Sequence, residues 1–211
     1  KQRLTLSYAG QDAEIAFDET TFTNERQKVS LTVIKQDSET KKTLGGAEFA
    51  VYAGSEIVSY KGDHLVSAGS MIMTAKTDKD GKITFNTDLP LGFKYVVREV
   101  AAPVGYIASK EEFSFAASAA EATKKVVAYE HTFSDDHITA KINLKKQDAE
   151  TKKAQGDAKL NGAVYGLYAR DAIVYPDGKS GTIYEKDALV GTMTTDAQGE
   201  ASISDLYLGK Y

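Results

Sequence analysis

Apolar and polar residues alternate along 29–37 (VSLTVIKQD), which places Leu31, Val33 and Lys35 in one phase. Successive side chains of a strand point to opposite faces, so these three share the face turned to a core. Ionised amines are costly to bury, and one on that face must be neutral, paired or chemically consumed. The same alternation marks further strands at 47–53 (AEFAVYA), 71–77 (MIMTAKT), 82–87 (KITFNT), 93–100 (FKYVVREV), 111–117 (EEFSFAA) and 125–133 (KVVAYEHTF). Between them, 38–46 (SETKKTLGG) and PLG at 90–92 read as turns, and 54–70 as a loop. The motif TDKDGK joins the strands at 71–77 and 82–87 as a predicted hairpin. Pro103 ends one strand and Gly105 allows the next turn. The alanine-rich 117–125 is expected to be a loop or a short helical turn, since its flanks alternate like strands.

The pattern occurs twice. Residues 21–37 (TFTNERQKVSLTVIKQD) align without a gap on 132–148 (TFSDDHITAKINLKKQD), setting Asn24 on Asp135, Leu31 and Val33 on Ile142 and Leu144, and Lys35 on Lys146. Downstream, GGAEFAVYA matches NGAVYGLYA, TDKDG matches TDAQG, and LPLGFKY matches LYLGKY. Lys35 and Lys146 are 111 positions apart, the size of an ordinary domain. The expected organisation is residues 1–26 as the last two strands of a preceding, truncated domain, 27–137 as a complete domain, and 138–211 as a following domain truncated at its C-terminus. Many short strands with glycine-marked turns predict an all-β chain of tandem antiparallel β-sandwiches. The middle core is expected to hold Leu31, Val33, Phe49, Val51, Ile83, Phe85, Tyr95, Val97, Phe113, Phe115, Val127 and Phe133. The next repeats it with Ile142, Leu144, Tyr165, Leu167 and Ile203.

Strand phase then brings chemistry into view. Tyr95, Val97 and Glu99 share a face, and Asp135 is in phase with Phe133, so Lys35, Glu99 and Asp135 can converge in one core. A single glutamate near a strand end is ordinarily solvated; three ionisable groups in phase with three core strands are not an ordinary surface pattern.

Composition removes several alternatives. Thirty acidic against 26 basic residues, scattered without blocks, leave a net charge of −4 and no footprint for nucleic acid or an anionic membrane. Cysteine is absent, which excludes disulfides and a cysteine nucleophile. No long apolar run or lipidation motif predicts membrane insertion. DKDG at 78–81 opens like a calcium loop, but Thr87 stands where the bidentate glutamate belongs, and His64, His131 and His137 have no ligand spacing. No metal and no cofactor are expected.

The lysine strand LTVIKQD, the GA-x-F/Y-x-x-Y strand, the TD-x-x-G turn, the run L-x-x-G-x-Y-x-x-x-E-x-x-AP-x-GY and a closing Asn or Asp together resemble the collagen-adhesin B-type domain. That family is also called the SpaA-like or prealbumin-like domain of Gram-positive surface proteins and pilins. The resemblance implies a transthyretin-like sandwich whose lysine and Asn/Asp join spontaneously in an isopeptide bond, assisted by the glutamate. By position it makes Lys35 the nucleophile, Asp135 the electrophile and Glu99 the proton shuttle. Asn24 and Lys146 become the crosslink residues of the adjacent domains, with partners outside residues 1–211. It further implies a secreted protein at the Gram-positive cell wall, anchored by sortase through other regions, and a structural stalk rather than an enzyme with turnover. IVYPDGK at 173–179 faintly resembles the pilin motif in which sortase joins a lysine to the next subunit, but departs after YP and reads better as a turn. The alternative is a module binding a host protein or glycan through the loops at 54–70 or 169–186.

Overall fold

The computed structural model describes residues 21–22, 26–86, 88–121, 123–153 and 159–211. The strands expected within residues 3–24 fall almost wholly outside the described residues. From Lys28 to His137 the chain folds as two facing four-stranded sheets. The first contains, in spatial order, β6 (Lys82–Phe85), β1 (Lys28–Asp37), β10 (Val126–His137) and β8 (Tyr106–Ile107). The second contains β5 (Met71–Lys76), β2 (Glu48–Ala53), β7 (Lys94–Ala101) and β9 (Glu112–Ala116).

Alternation dictates what lies between the sheets. Along β1, Val29, Leu31, Val33, Lys35 and Asp37 are buried while the residues between them are not. Phe49 and Val51 from β2, Tyr95 and Val97 from β7, Ile83 and Phe85 from β6, and Phe115 and Phe133 complete the core. Phe113 and Val127 are in the expected phase but only half-buried, since each lies towards the end or edge of its sheet.

Two local expectations need correction, and a third is narrowed to one of its alternatives. Residues 71–77 and 82–87 do not pair as a hairpin: β5 pairs with β2 and β6 pairs with β1, in opposite sheets. The TDKDG turn is a crossover between layers. It is held by Asp78 Oδ1, which accepts from the amides of Asp80 and Lys82 at 2.9 Å each. Gly81, at φ +72°, passes so close to β1 that a Cβ would stand 2.8 Å from the Lys35 carbonyl oxygen. The loop at 54–70 contains a small ribbon, β3 (Ile57–Val58) paired with β4 (His64–Val66). The described part of 117–125 has no helix, because Gln27 takes its backbone groups: the side-chain amide donates to the carbonyls of Ala120, Glu121 and Lys124 and accepts from Ala120 N.

One pairing departs from the antiparallel pattern of the rest. The first and last strands of the sandwich, β1 and β10, are parallel, with Lys35 opposite Phe133 and Asp37 opposite Asp135. Parallel neighbours cannot be joined by a tight turn and need a long connection, here everything between them.

From Thr139 the plan repeats. β11 (Thr139–Lys145) pairs with β16 (Glu200–Tyr207), and β12 (Val164–Tyr168) with β15 (Leu189–Thr194), as β1 pairs with β6 and β2 with β5. A small ribbon, β13 (Ile173–Val174) with β14 (Thr182–Tyr184), matches β3 and β4. Ile142, Leu144, Tyr165, Leu167 and Ile203 keep the inward phase but are half-buried, because each of these layers has two strands among the described residues. Thr77 and Thr195 occupy equivalent buried sites. Thr77 Oγ1 donates to Leu44 O at 2.8 Å and accepts from Ala47 N at 3.0 Å, and Thr195 Oγ1 does the same with Leu160 O and Ala163 N.

Replacing Thr77 by valine keeps the shape but leaves a buried carbonyl and amide unpaired, a loss of about 1–3 kcal/mol. Urea unfolding should show the Thr77→Val midpoint falling with an unchanged slope; an unchanged midpoint would mean the hydroxyl holds nothing in place.

Candidate functional site

Three strands deliver one charged side chain each to the same end of the core. Lys35 comes from β1, Asp135 from β10 beside it, and Glu99 from β7 in the opposite sheet, where β2 pairs Phe49 against it. All three are sealed from solvent: Lys35 is 0% and Asp135 1% exposed, and the Glu99 side chain is 0% exposed. Aromatic rings wall the pocket, with Lys35 Nζ 5.6 Å from the Phe49 ring centre and that ring 4.9 Å from Phe133.

Within the pocket Lys35 Nζ donates to Asp135 Oδ1 in a close contact and to Glu99 Oε2 at 3.0 Å. The backbone N–H of Ser109 donates to the same two oxygens, at 2.7 Å to Glu99 Oε2 and 3.0 Å to Asp135 Oδ1. The other two oxygens, Glu99 Oε1 and Asp135 Oδ2, are the buried side-chain polar atoms without a partner among the described residues. Burial pushes the Glu99 carboxyl up from its ordinary 4.5 to about 7, against the opposing pull of Lys35 and the Ser109 amide and with a further rise from neighbouring Asp135. A proton retained by Glu99 reduces the negative charge that two carboxyls would otherwise place in the dry pocket.

Asp37, two residues beyond Lys35 on the same face, closes the pocket's end. Its Oδ2 accepts from the Tyr106 hydroxyl at 2.7 Å and its Oδ1 from the amides of Glu39 and Thr40 at 2.7 and 2.8 Å. Burial, then the bond to Asp37, pushes the Tyr106 phenol far up. Sequence reasoning assigned these two no role, although the QD shared by both repeats and the GY at 105–106 were the available signal. Asp148 caps its own turn in the same way, accepting from Glu150 N and Thr151 N.

The family model for the SpaA prealbumin-like fold domain matches residues 29–132, which spans β1 and most of the sandwich up to β10. Residues 29–132 are a SpaA-type domain. No curated protein matches it. Among solved structures, the TIE protein of Bacillus anthracis superposes with a TM-score of 0.54 at 24% identity, over 88% of this chain and 28% of its own. The present chain thus spans less than a third of that protein. The C-terminal domain of the shaft pilin spaA from Lactobacillus rhamnosus GG matches 54% of this chain over its whole length, with 21% identity and a TM-score of 0.38. The major pilin subunit BcpA of Bacillus cereus matches 53% of this chain and 31% of its own, with 21% identity and a TM-score of 0.36.

The remaining expected site residues are placed differently from the SpaA-domain trio. Lys146 is half-buried and its Nζ donates to the carbonyl of Lys159 at 3.0 Å, and among the described residues it forms no ion pair with a carboxylate. Asn24 lies outside the described residues. His64 and His131 each approach a single glutamate, Glu56 and Glu111, and His137 approaches Glu39. Among the described residues no group of three or more histidines and carboxylates is arranged for a metal ion. In IVYPDGK, residues 175–178 form a turn that rests on the SpaA domain. Lys179 Nζ donates to Thr43 O at 2.6 Å, and Thr40 Oγ1 donates to Asp177 Oδ2 at 2.9 Å. Burial alone would raise Asp177, but hydrogen bonds from Ser180, the Lys179 amide and Thr40 hold it at about 2.

The Glu99 proton has a thermodynamic consequence. The folded state holds it up to about pH 7, whereas the unfolded chain releases it near 4.5. This group's contribution therefore favours folding most at low pH and declines as pH rises through that window. In a Lys35→Met background no bond can form and the lowering contacts of Lys35 are gone, so the direction is preserved. Urea unfolding at pH 5, 6 and 7 should show stability falling with pH, and Glu99→Gln in the same background should flatten the slope. Equal slopes would show that Glu99 ionises normally in the fold.

Proposed function

We propose that this chain is a stalk segment of a cell-wall-anchored adhesin or pilus subunit on a Gram-positive surface, stiffened by a spontaneous isopeptide bond between Lys35 and Asp135. In this reading residues 27–137 form the complete domain, between parts of its neighbours at 1–26 and 138–211. The observation that carries it is the sealed pocket in which an amine lies against one carboxyl and within 3.0 Å of a second. The match of residues 29–132 to the SpaA family model supports it.

The residue types suit the chemistry. The attacking species is the neutral amine, reached when the Lys35 ammonium gives its proton to a carboxylate in the same dry pocket. Nζ attacks Asp135 Cγ. The nitrogen then loses a proton to Glu99, Glu99 returns one to the departing oxygen, and the Cγ–O bond breaks to release water. Glu99 ends as it began, a general acid-base group. Folding has already brought the reacting groups together, and oriented intramolecular reactions reach effective molarities on the order of 10⁵ M or more. The chain's own residues suffice, and each molecule reacts once.

Pulling on the chain loads β1 and β10, and a bond between them takes the intervening residues out of the force path. Of the two loops in the binding alternative, the one at 169–186 is engaged through Asp177 and Lys179 by the preceding residues 40–43, which leaves 54–70 to carry that reading.

The intact protein should weigh one water less than its sequence requires, and digestion should yield a branched peptide joining Lys35 to Asp135. Lys35→Ala and Asp135→Ala should restore the water. Glu99→Ala should fold yet remain largely unlinked. The closed loop spans 100 residues, and chain entropy alone then assigns the crosslink roughly 4–5 kcal/mol. A full-sequence mass for the wild type would end the proposal.

A further inference from the structure

We propose that the backbone N–H of Ser109 is the oxyanion donor of the crosslinking reaction, stabilising the negative charge that develops on Asp135 Oδ1 as Lys35 attacks. The inference rests on the crosslinking reading above and adds a group to it.

The two carboxyls do not present equivalent oxygens. Asp135 Oδ1 takes hydrogen bonds from Lys35 Nζ and from Ser109 N, whereas Oδ2 is buried without a donor among the described residues. An oxygen with fixed donors is the one that can carry charge; an oxygen with none is the one that must accept a proton and leave. Oδ1 thus becomes the oxyanion and then the amide carbonyl, and Oδ2 departs as water. Glu99 is divided in the same sense: Oε2 is held by Lys35 and Ser109, and Oε1 has no partner among the described residues. Oε1 is therefore the atom free to carry the proton destined for Oδ2. The balance closes: the first Lys35 proton passes to Asp135 and makes Oδ2 a hydroxyl, Nζ–Cγ forms, a second proton passes from Nζ to Glu99, one passes from Glu99 to that hydroxyl, Cγ–Oδ2 breaks to release water, and no other reactant is needed. At 3.0 Å the Ser109 amide stands at the separation required of a preorganised donor.

The fold spends considerable structure on aiming this one amide. β8 pairs Ile107 with Asp136 and Tyr106 with His137, which lays the chain after Ile107 alongside Asp135. Gly105, at φ +91°, turns the segment, and its carbonyl accepts from Ile138 N at 2.8 Å. Tyr106 is tied to Asp37 through its hydroxyl. The result is that the N–H of Ser109 is shared by two carboxyl oxygens. The Ser109 side chain points to a different task, its Oγ accepting from Glu111 N at 3.1 Å.

The full chain made by cell-free translation, quenched into denaturant at intervals, gives the linked fraction against time by intact mass. Replacing Ser109 by its α-hydroxy acid counterpart swaps the N–H for an ester oxygen and should slow linking on the order of 10²-fold, as removal of one oxyanion donor does. The same exchange at Lys110, one residue on, keeps the Ser109 amide and should link at the wild-type rate. Ser109→Pro should link as slowly as the ester, with its fold checked by unfolding in a Lys35→Ala background; should it fail to fold, the ester decides. A purely structural role for the segment would instead make the rate follow the stability of the Lys35→Ala form. Wild-type rates in the ester variant would overturn this proposal while leaving the crosslink intact, whereas absence of the water loss in the wild type would fail the crosslink reading itself.

Discussion

A lysine ammonium without water is the constraint around which this sandwich is arranged. Lys35 is turned inward by the alternation that buries Leu31 and Val33, and an unpaired charge there would cost several kcal/mol. Everything near it answers that cost. Two carboxyls arrive from different strands, Ser109 spends its amide on them rather than on a ladder, and Phe49 and Phe133 exclude solvent. Replacement of the whole trio by well-packed apolar residues would be expected to hold the sheets together as well or better, so stability alone does not account for the arrangement.

The phase of each strand was legible in the sequence because period-two alternation is a local property. It turned Lys35, Glu99 and Asp135 inward and named most of the core, and the structure buries those residues together. The repeat was legible for the same reason: TD-x-x-G recurs because Thr77 and Thr195 each tie two backbone groups, and Asp78 and Asp196 each cap a turn.

Partner choice was not legible. Alternation says which face a residue occupies but not which strand lies beside it, so β5 and β6 read as a hairpin although they belong to opposite sheets. Alanine content at 117–125 favoured a helix in isolation, and one distant side chain, Gln27, satisfied the backbone another way. The roles of Asp37, Tyr106 and the Ser109 amide required tertiary contacts over dozens of residues, and a backbone N–H has no letter in a sequence.

The parallel register of β1 and β10 also determines how such units extend. Because both strands run the same way, the chain enters at Lys28, at one end of the sheet, and leaves at His137, at the other, directly into β11. With strands rising about 3.3 Å per residue, ten paired positions carry the chain forward by roughly 30 Å. An antiparallel pairing of first and last strands would return the chain to its starting end, and successive units would zigzag. Here the chain leaves the sandwich at the end opposite the one it entered, so the unit spans its own length between entry and exit.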